Sequence, residues 1–251
     1  MSIEFISAVV PVALLLIFVY RKDKIHPEPL GKLVLTFFMA CLSVLPAAVQ
    51  EMLLMPFAPQ GAVPDGLYSG FVVAGFSEEL WKLLLLLLVI WRSPHFDEYF
   101  DGIVYACFLS MGFACVENVQ YVLGGTDPMG TAIMRGLLAV PAHFLFAVTM
   151  GYYVSLAKFD PAHRGSHLGK ALLFPVLLHG TYDSLLMVSD NLQGSSSPLA
   201  TVVSMVLFAA FIYFDVKMWR WGLRRIARMQ ERSRESDFNP ADPFAGFKWN
   251  V

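Results

Sequence analysis

Apolar runs of about 20 residues recur along the whole of this chain, about the length one helix needs to cross a bilayer core of roughly 30 Å. Within lipid, backbone N–H and C=O groups must be paired inside the chain, which leaves helices as the natural reading of such runs. The runs lie near residues 5–20, 33–57, 67–91, 102–123, 131–157, 170–189 and 199–221. The expected fold is therefore all-α, a polytopic transmembrane helix bundle of about seven spans, set in a cell membrane. Turn chemistry separates the runs: His26-Pro-Glu-Pro, Ala58-Pro-Gln-Gly, Gly124-Gly-Thr-Asp-Pro and Gly194-Ser-Ser-Ser-Pro. Glu4 precedes the first run and no basic region does, so that run is expected to be a retained anchor.

Only 15% of residues are charged, against about 25% in soluble domains. A formal charge of −2 argues against a nucleic-acid partner. Cys41, Cys107 and Cys115 all lie in apolar stretches with no CxxC spacing, and read as small buried hydrophobes. Lys and Arg fall in alternate loops: at Arg21–Lys32, at Arg92, at Lys158–Lys170 and from Lys217 onward. The positive-inside rule then places the N-terminus outside and the C-terminus inside. The expected organisation is a catalytic helix bundle over residues 1–223 and a cytoplasmic tail over 224–251, a solvated helix end that runs into disorder.

Against this apolar background a few ionisable residues stand out, because each costs about 2.5–3.5 kcal/mol near the bilayer centre. The third run carries Glu78, Glu79 and Lys82, spaced so that the lysine shares a helical face with either carboxylate. One lysine cannot neutralise two carboxylates, which leaves one of them for chemistry. The fourth run carries Glu117 and Asn118, with Phe113 one turn earlier as ordinary packing. The fifth carries His143, and the sixth pairs His179 with Asp183 at i, i+4. An Asp so placed can fix the imidazole tautomer and leave the other nitrogen for a metal or a substrate. With about 1.5 Å rise per residue, Glu78, His143 and His179 fall near the midplane, and Glu117 and Asp183 closer to the outer surface. Scattered structural polar groups have no reason to agree in depth, so one site is expected. Arg135 is expected to pair with Asp127, and Glu51 to be interfacial.

The sequences Glu78-Glu79-Leu80-Trp81-Lys82, Phe113-Ala-Cys-Val-Glu117 and His179-Gly-Thr-Tyr-Asp183 resemble the EExxK, FxxxE and HxxxD motifs of the PrsW family, in order and on successive runs. The resemblance covers roughly residues 75–186, and includes the segment from Asp101 to Asn118. It implies an intramembrane protease, related to the prenyl-protein endopeptidases and the bacteriocin-immunity proteases. In the prenyl-protein proteases a His stands where this sequence has Glu117. The implied partner is a membrane-anchored protein substrate, with an anti-sigma factor cut at site 1 as the family's founding case.

Peptide hydrolysis needs an activated water, a proton shuttle and a stabiliser for the oxyanion. The expected catalytic residues are Glu78, Glu79, Glu117, His179 and Asp183, with Glu78 or Glu79 as general base. His143, His179 and Glu117 are the expected ligands of Zn2+, with Asp183 orienting His179, and Lys82 and Asn118 in support. A metal-free version has Glu78 and Glu117 activate water while His179 and Asp183 stabilise the oxyanion. The rival readings are a transporter or proton relay built on the same Glu/His/Asp cluster, and a catalytically silent scaffold.

Overall fold

The computed structural model describes residues 2–193 and 197–237, and every regular element among them is helical. In chain order these are α1 (Ile3–Lys22), α2 (Leu30–Leu54), α3 (Ala62–Tyr68), a π-helical segment (Ser69–Phe76), α4 (Ser77–Ile90), α5 (Asp101–Gly124), α6 (Pro128–Leu137), α7 (Ala139–Phe159), α8 (Arg164–Gln193) and α9 (Pro198–Asp237). Six helical stretches, Ile3–Lys22, Leu30–Phe57, Asp101–Gly124, Pro128–Phe159, Pro161–Gln193 and Pro198–Ser236, are long and apolar enough to cross a membrane. This is a multi-pass membrane protein. The seventh expected span takes another form: α3, the π segment and α4 follow one another directly. The Gly194–Ser196 part of one expected turn, and the tail beyond Asp237, lie outside the described residues. Helix α9 runs through the expected boundary at residue 223 without a break. Its end packs back on the bundle, with Ile226, Met229 and Ser233 buried and Ser233 Oγ accepting from Phe100 N at 3.0 Å.

Helices α5 and α7 form the centre of the bundle. Residues Asp101 to Ala114 and Ala139 to Tyr152 are buried all round, as their lack of any polar face requires. Helices α1 and α2 cover α5, α8 covers α7, and α9 lies on α8. The fifth expected span is broken at Leu138, because Pro141 has no N–H to continue the helix from α6. His143 therefore sits near the start of α7, its fifth residue. Of the cysteines, Cys107 is buried and Cys41 and Cys115 are half-buried, all free.

The approach of α3–α4 to α8 depends on small residues. A Cβ on Gly70 would lie 2.4 Å from Ser184 Oγ and 2.6 Å from Ser184 N, and one on Gly75 would lie 3.0 Å from Gly180 N. Gly66 meets Val188 in the same way. Gly66 and Gly70 are four apart, the α spacing, whereas Gly70 and Gly75 are five apart. The π turn, with its i→i+5 bonds, brings that second pair onto one face. Small residues at such contacts let helix backbones approach closely in membranes, and here the contact ends at Ser77-Glu78-Glu79. At the far end of α7, Asp160 caps the turn into α8, bonded to His163 Nδ1 at 2.9 Å and His167 Nε2 at 3.2 Å. Burial alone would raise the Asp160 carboxyl, but these hydrogen bonds outweigh it and hold it below its ordinary value.

Two outcomes follow from this packing. Gly70→Ala is expected to lower stability by about 2 kcal/mol, because its clash is with the Ser184 backbone N as well as the Ser184 hydroxyl, and a rotamer change relieves only the second. Thermal unfolding in detergent measures it. Because Asp160 is more acidic folded than unfolded, its contribution is present above about pH 4 and is lost as pH falls through the folded value. Asp160→Asn should therefore flatten the acid limb of the unfolding temperature plotted against pH.

Candidate active site

Five helices bring their ionisable residues together. Lys82 of α4 is wholly buried, and its Nζ lies 2.9 Å from Glu78 Oε2, 2.8 Å from Glu79 Oε1 and 3.1 Å from His143 Nδ1. The ring of Phe113 lies 4.3 Å from the same ammonium, so Phe113 faces the site as well as packing the core. On α8, His179 holds Nδ1 2.9 Å from Glu79 Oε1 and Nε2 3.2 Å from Asp183 Oδ2. Glu78 Oε1 stands 4.0 Å from His179 Nε2, too long for a hydrogen bond. Phe146 stacks on His179 with centroids 4.7 Å apart and planes 20° apart.

On the other side, His143 Nε2 meets Glu117 Oε2 at 2.8 Å, and Arg135 Nη2 lies 3.1 Å from the same oxygen as an ion pair. Arg135 Nε donates to Asn118 Oδ1 at 2.9 Å, and Asn118 Nδ2 donates to the Ala8 carbonyl at 2.6 Å. This corrects the expected Arg135–Asp127 pair: Asp127 is spent on capping Gly130 N at 3.0 Å. An ammonium can only donate, so His143 Nδ1 is the acceptor and its proton sits on Nε2, donated to Glu117. One polar chain thus runs from α1 through Asn118, Arg135, Glu117, His143, Lys82, Glu79 and His179 to Asp183.

Accessibility along that chain is graded. Side chains of Glu79 and Lys82 are at most 1% exposed, and those of His143, His179 and Glu78 3–8%. Glu117 and Asp183 are 18% and 19% exposed, and form the open rim. They are also the two residues expected from the sequence to lie closer to the outer surface.

The chemistry of the donor set suits a metal ion. One ligand atom from each of Glu78, Glu79, His143 and His179 can be chosen so that all lie within 4.8 Å of one another. Glu79 Oε2 is buried with no hydrogen-bond partner. The four carboxylates face two fixed cations, Lys82 and Arg135, an excess of two negative charges when both imidazoles are neutral. A divalent cation has the charge to balance that excess. Glu117, expected as a ligand, is placed outside this group of four, on the far nitrogen of His143.

The sequence signal missed Phe113, Phe146 and Arg135. Phe113 opens the FxxxE motif but reads as packing, Phe146 is indistinguishable from a core aromatic by pattern, and Arg135 lies close in sequence to a rival partner, Asp127. A multi-pass helical membrane protein with a buried Glu/His/Lys site at its centre is the class that fold and site define. A model described as PrsW family intramembrane metalloprotease matches residues 28–213. Protease PrsW of Clostridioides difficile (strain 630) is 36% identical over 188 residues, covering 73% of this chain and 79% of the relative. Protease PrsW of Bacillus subtilis (strain 168) is 33% identical over 221 residues, covering 87% and 92%. No solved structure matches the chain. The chain belongs to the PrsW family, and is an intramembrane protease.

Removal of the Lys82 charge tests how the site is held together. Lys82→Met leaves Glu78 and Glu79 buried without their counter-ion, which is expected to cost about 3–5 kcal/mol. Adding Glu79→Gln to Lys82→Met should restore part of the loss. Both effects are read as unfolding temperatures beside the wild type.

Proposed function

We propose that this protein hydrolyses a peptide bond of a membrane-anchored protein near the outer half of the bilayer, with Glu78 as general base. The observation that carries this reading is the 4.0 Å gap between Glu78 Oε1 and His179 Nε2, a separation a single bridging water fits. Glu79 Oε1, by contrast, is already engaged by Lys82 and His179. In this reading Glu78 takes the proton of the attacking water and later delivers it to the departing amine. Asp183 and Glu79 hold the His179 ring between them, and Lys82 pairs with both glutamates. The tautomer fixed on His143 by Lys82 and Glu117 leaves its Nδ1 lone pair turned toward the cluster. Arg135 and Asn118 steady Glu117 in that role.

His143, His179 and a carboxylate of Glu78 or Glu79 would hold Zn2+, which supplies Lewis acidity toward the scissile carbonyl. Glu117 then stands behind His143 as its orienting carboxylate. One observation favours the metal-free alternative: the Lys82 ammonium already occupies hydrogen-bonding positions among these donors. There Lys82 and His179 would stabilise the oxyanion themselves. The substrate we infer is a single-pass anchored protein, an anti-sigma factor being the first to try.

Glu78→Gln and His179→Ala are each expected to leave a folded protein with cleavage reduced at least about 100-fold, measured as release of a tagged fragment from a co-reconstituted anti-sigma factor. Full activity in either variant sinks the assignment. Elemental analysis of the purified wild type should find near-stoichiometric zinc, lost in His179→Ala. An active wild type without metal would select the glutamate mechanism.

A further inference from the structure

A second cluster of buried carboxylates lies at the other end of α5, far from the site just described. Asp23 in the α1–α2 loop, Glu98 in the α4–α5 loop and Asp101 at the head of α5 are 4%, 4% and 0% exposed. One ligand oxygen from each can be chosen so that the three lie within 4.8 Å of one another. Asp101 and Glu117 are 16 residues apart on one helix, about 24 Å along its axis. This cluster and the protease site are therefore separate.

The local bonding leaves defined oxygens unused. Asp23 Oδ2 accepts the Glu28 N–H at 2.8 Å, which fixes the carboxylate against its own loop. Asp101 Oδ2 accepts the N–H groups of Asp97 at 3.0 Å and Glu98 at 2.7 Å. The second oxygens, Asp23 Oδ1 and Asp101 Oδ1, are buried and have no hydrogen-bond partner. A fourth buried carboxylate, Glu28, adjoins them and is hydrogen-bonded by Tyr105. Carboxylates taken out of water in this way are strongly unfavourable unless a cation or hydrogen-bond donors satisfy them. Oxygens around a calcium ion at about 2.3–2.6 Å lie up to about 5 Å apart, which accommodates the observed spacing.

We propose that Asp23, Glu98 and Asp101 form a site for a hard divalent cation, Mg2+ or Ca2+, that joins the first loop, the α4–α5 loop and the head of α5. The donor set is all oxygen, and this sets it apart from the His-containing protease cluster. Its role is structural: the ion fixes the end of the central helix that carries Glu117 at its other end. The contact between Phe100 N and Ser233 Oγ extends the same junction to α9.

Unfolding of the detergent-purified full chain, with chelator or with millimolar Ca2+ or Mg2+, tests the proposal. The ion is expected to raise the midpoint by about 5 °C. The rise should persist in His179→Ala and disappear in Asp101→Asn and in Glu98→Gln, the latter keeping the proposal testable if Asp101→Asn does not fold. Tyrosine-sensitised Tb3+ emission, displaced by Ca2+ and lost in Glu98→Gln, is the matching direct readout. The inference is overturned if neither ion shifts the wild-type midpoint. It is also overturned if the shift survives Glu98→Gln and is lost in His179→Ala, which would assign the ion to the protease cluster. Failure of the chain to cleave any substrate leaves this test unaffected.

Discussion

One buried ammonium holds the centre of this molecule together. Lys82 Nζ reaches two carboxylates on its own helix and a histidine on α7, with an aromatic ring of α5 against it. Removed from water, such a charge is tolerable only when its donors are satisfied and opposite charge is close. The requirement acts in both directions: the lysine needs the glutamates, and Glu79 with His179 then needs α8 within reach. The close approach of α8 is what the glycines on α3 and the π segment allow. Chemistry and packing at this point are therefore one constraint.

The polar chain that starts from Lys82 has two branches with different characters. Toward α8, Glu79, His179 and Asp183 alternate acid and base, an arrangement suited to holding and moving a proton. Toward α6, Arg135 and Asn118 clamp Glu117, and the clamp reaches the backbone of α1. The second branch reads as scaffold, fixing which nitrogen of His143 carries the proton. Exposure rises from Glu79 at the base to Glu117 and Asp183 at the rim, so one side of the cluster is more open than the other.

Much of the candidate site was legible in the sequence because charge is so costly in an apolar helix. Glu78, Glu79, Lys82, Glu117, His143, His179 and Asp183 were identifiable from that cost alone, and their agreement in depth pointed to one cluster. Which atoms meet was not legible. Glu117 was expected as a metal ligand, and nothing in the sequence signalled that its Oε2 would meet both His143 Nε2 and Arg135 Nη2. Asp23 and Glu98 went unnoticed, and Asp101 reads only as the start of a motif segment, because loop carboxylates near a membrane surface read as solvated and only the fold buries them together.

The sequence by itself determined that this is a bundle of membrane helices with ionisable residues at its heart, since hydrophobic length and the cost of charge are properties of each segment alone. It also carried the family motifs, because their spacing is local to single helices. Tertiary structure decided how those helices are phased against one another. The π turn that brings Gly70 and Gly75 onto one face, the break at Leu138 and the choice of partner for Arg135 all depend on contacts between segments distant in the chain. Periodicity reports a helix's own faces, and has no term for the neighbour that each face will meet.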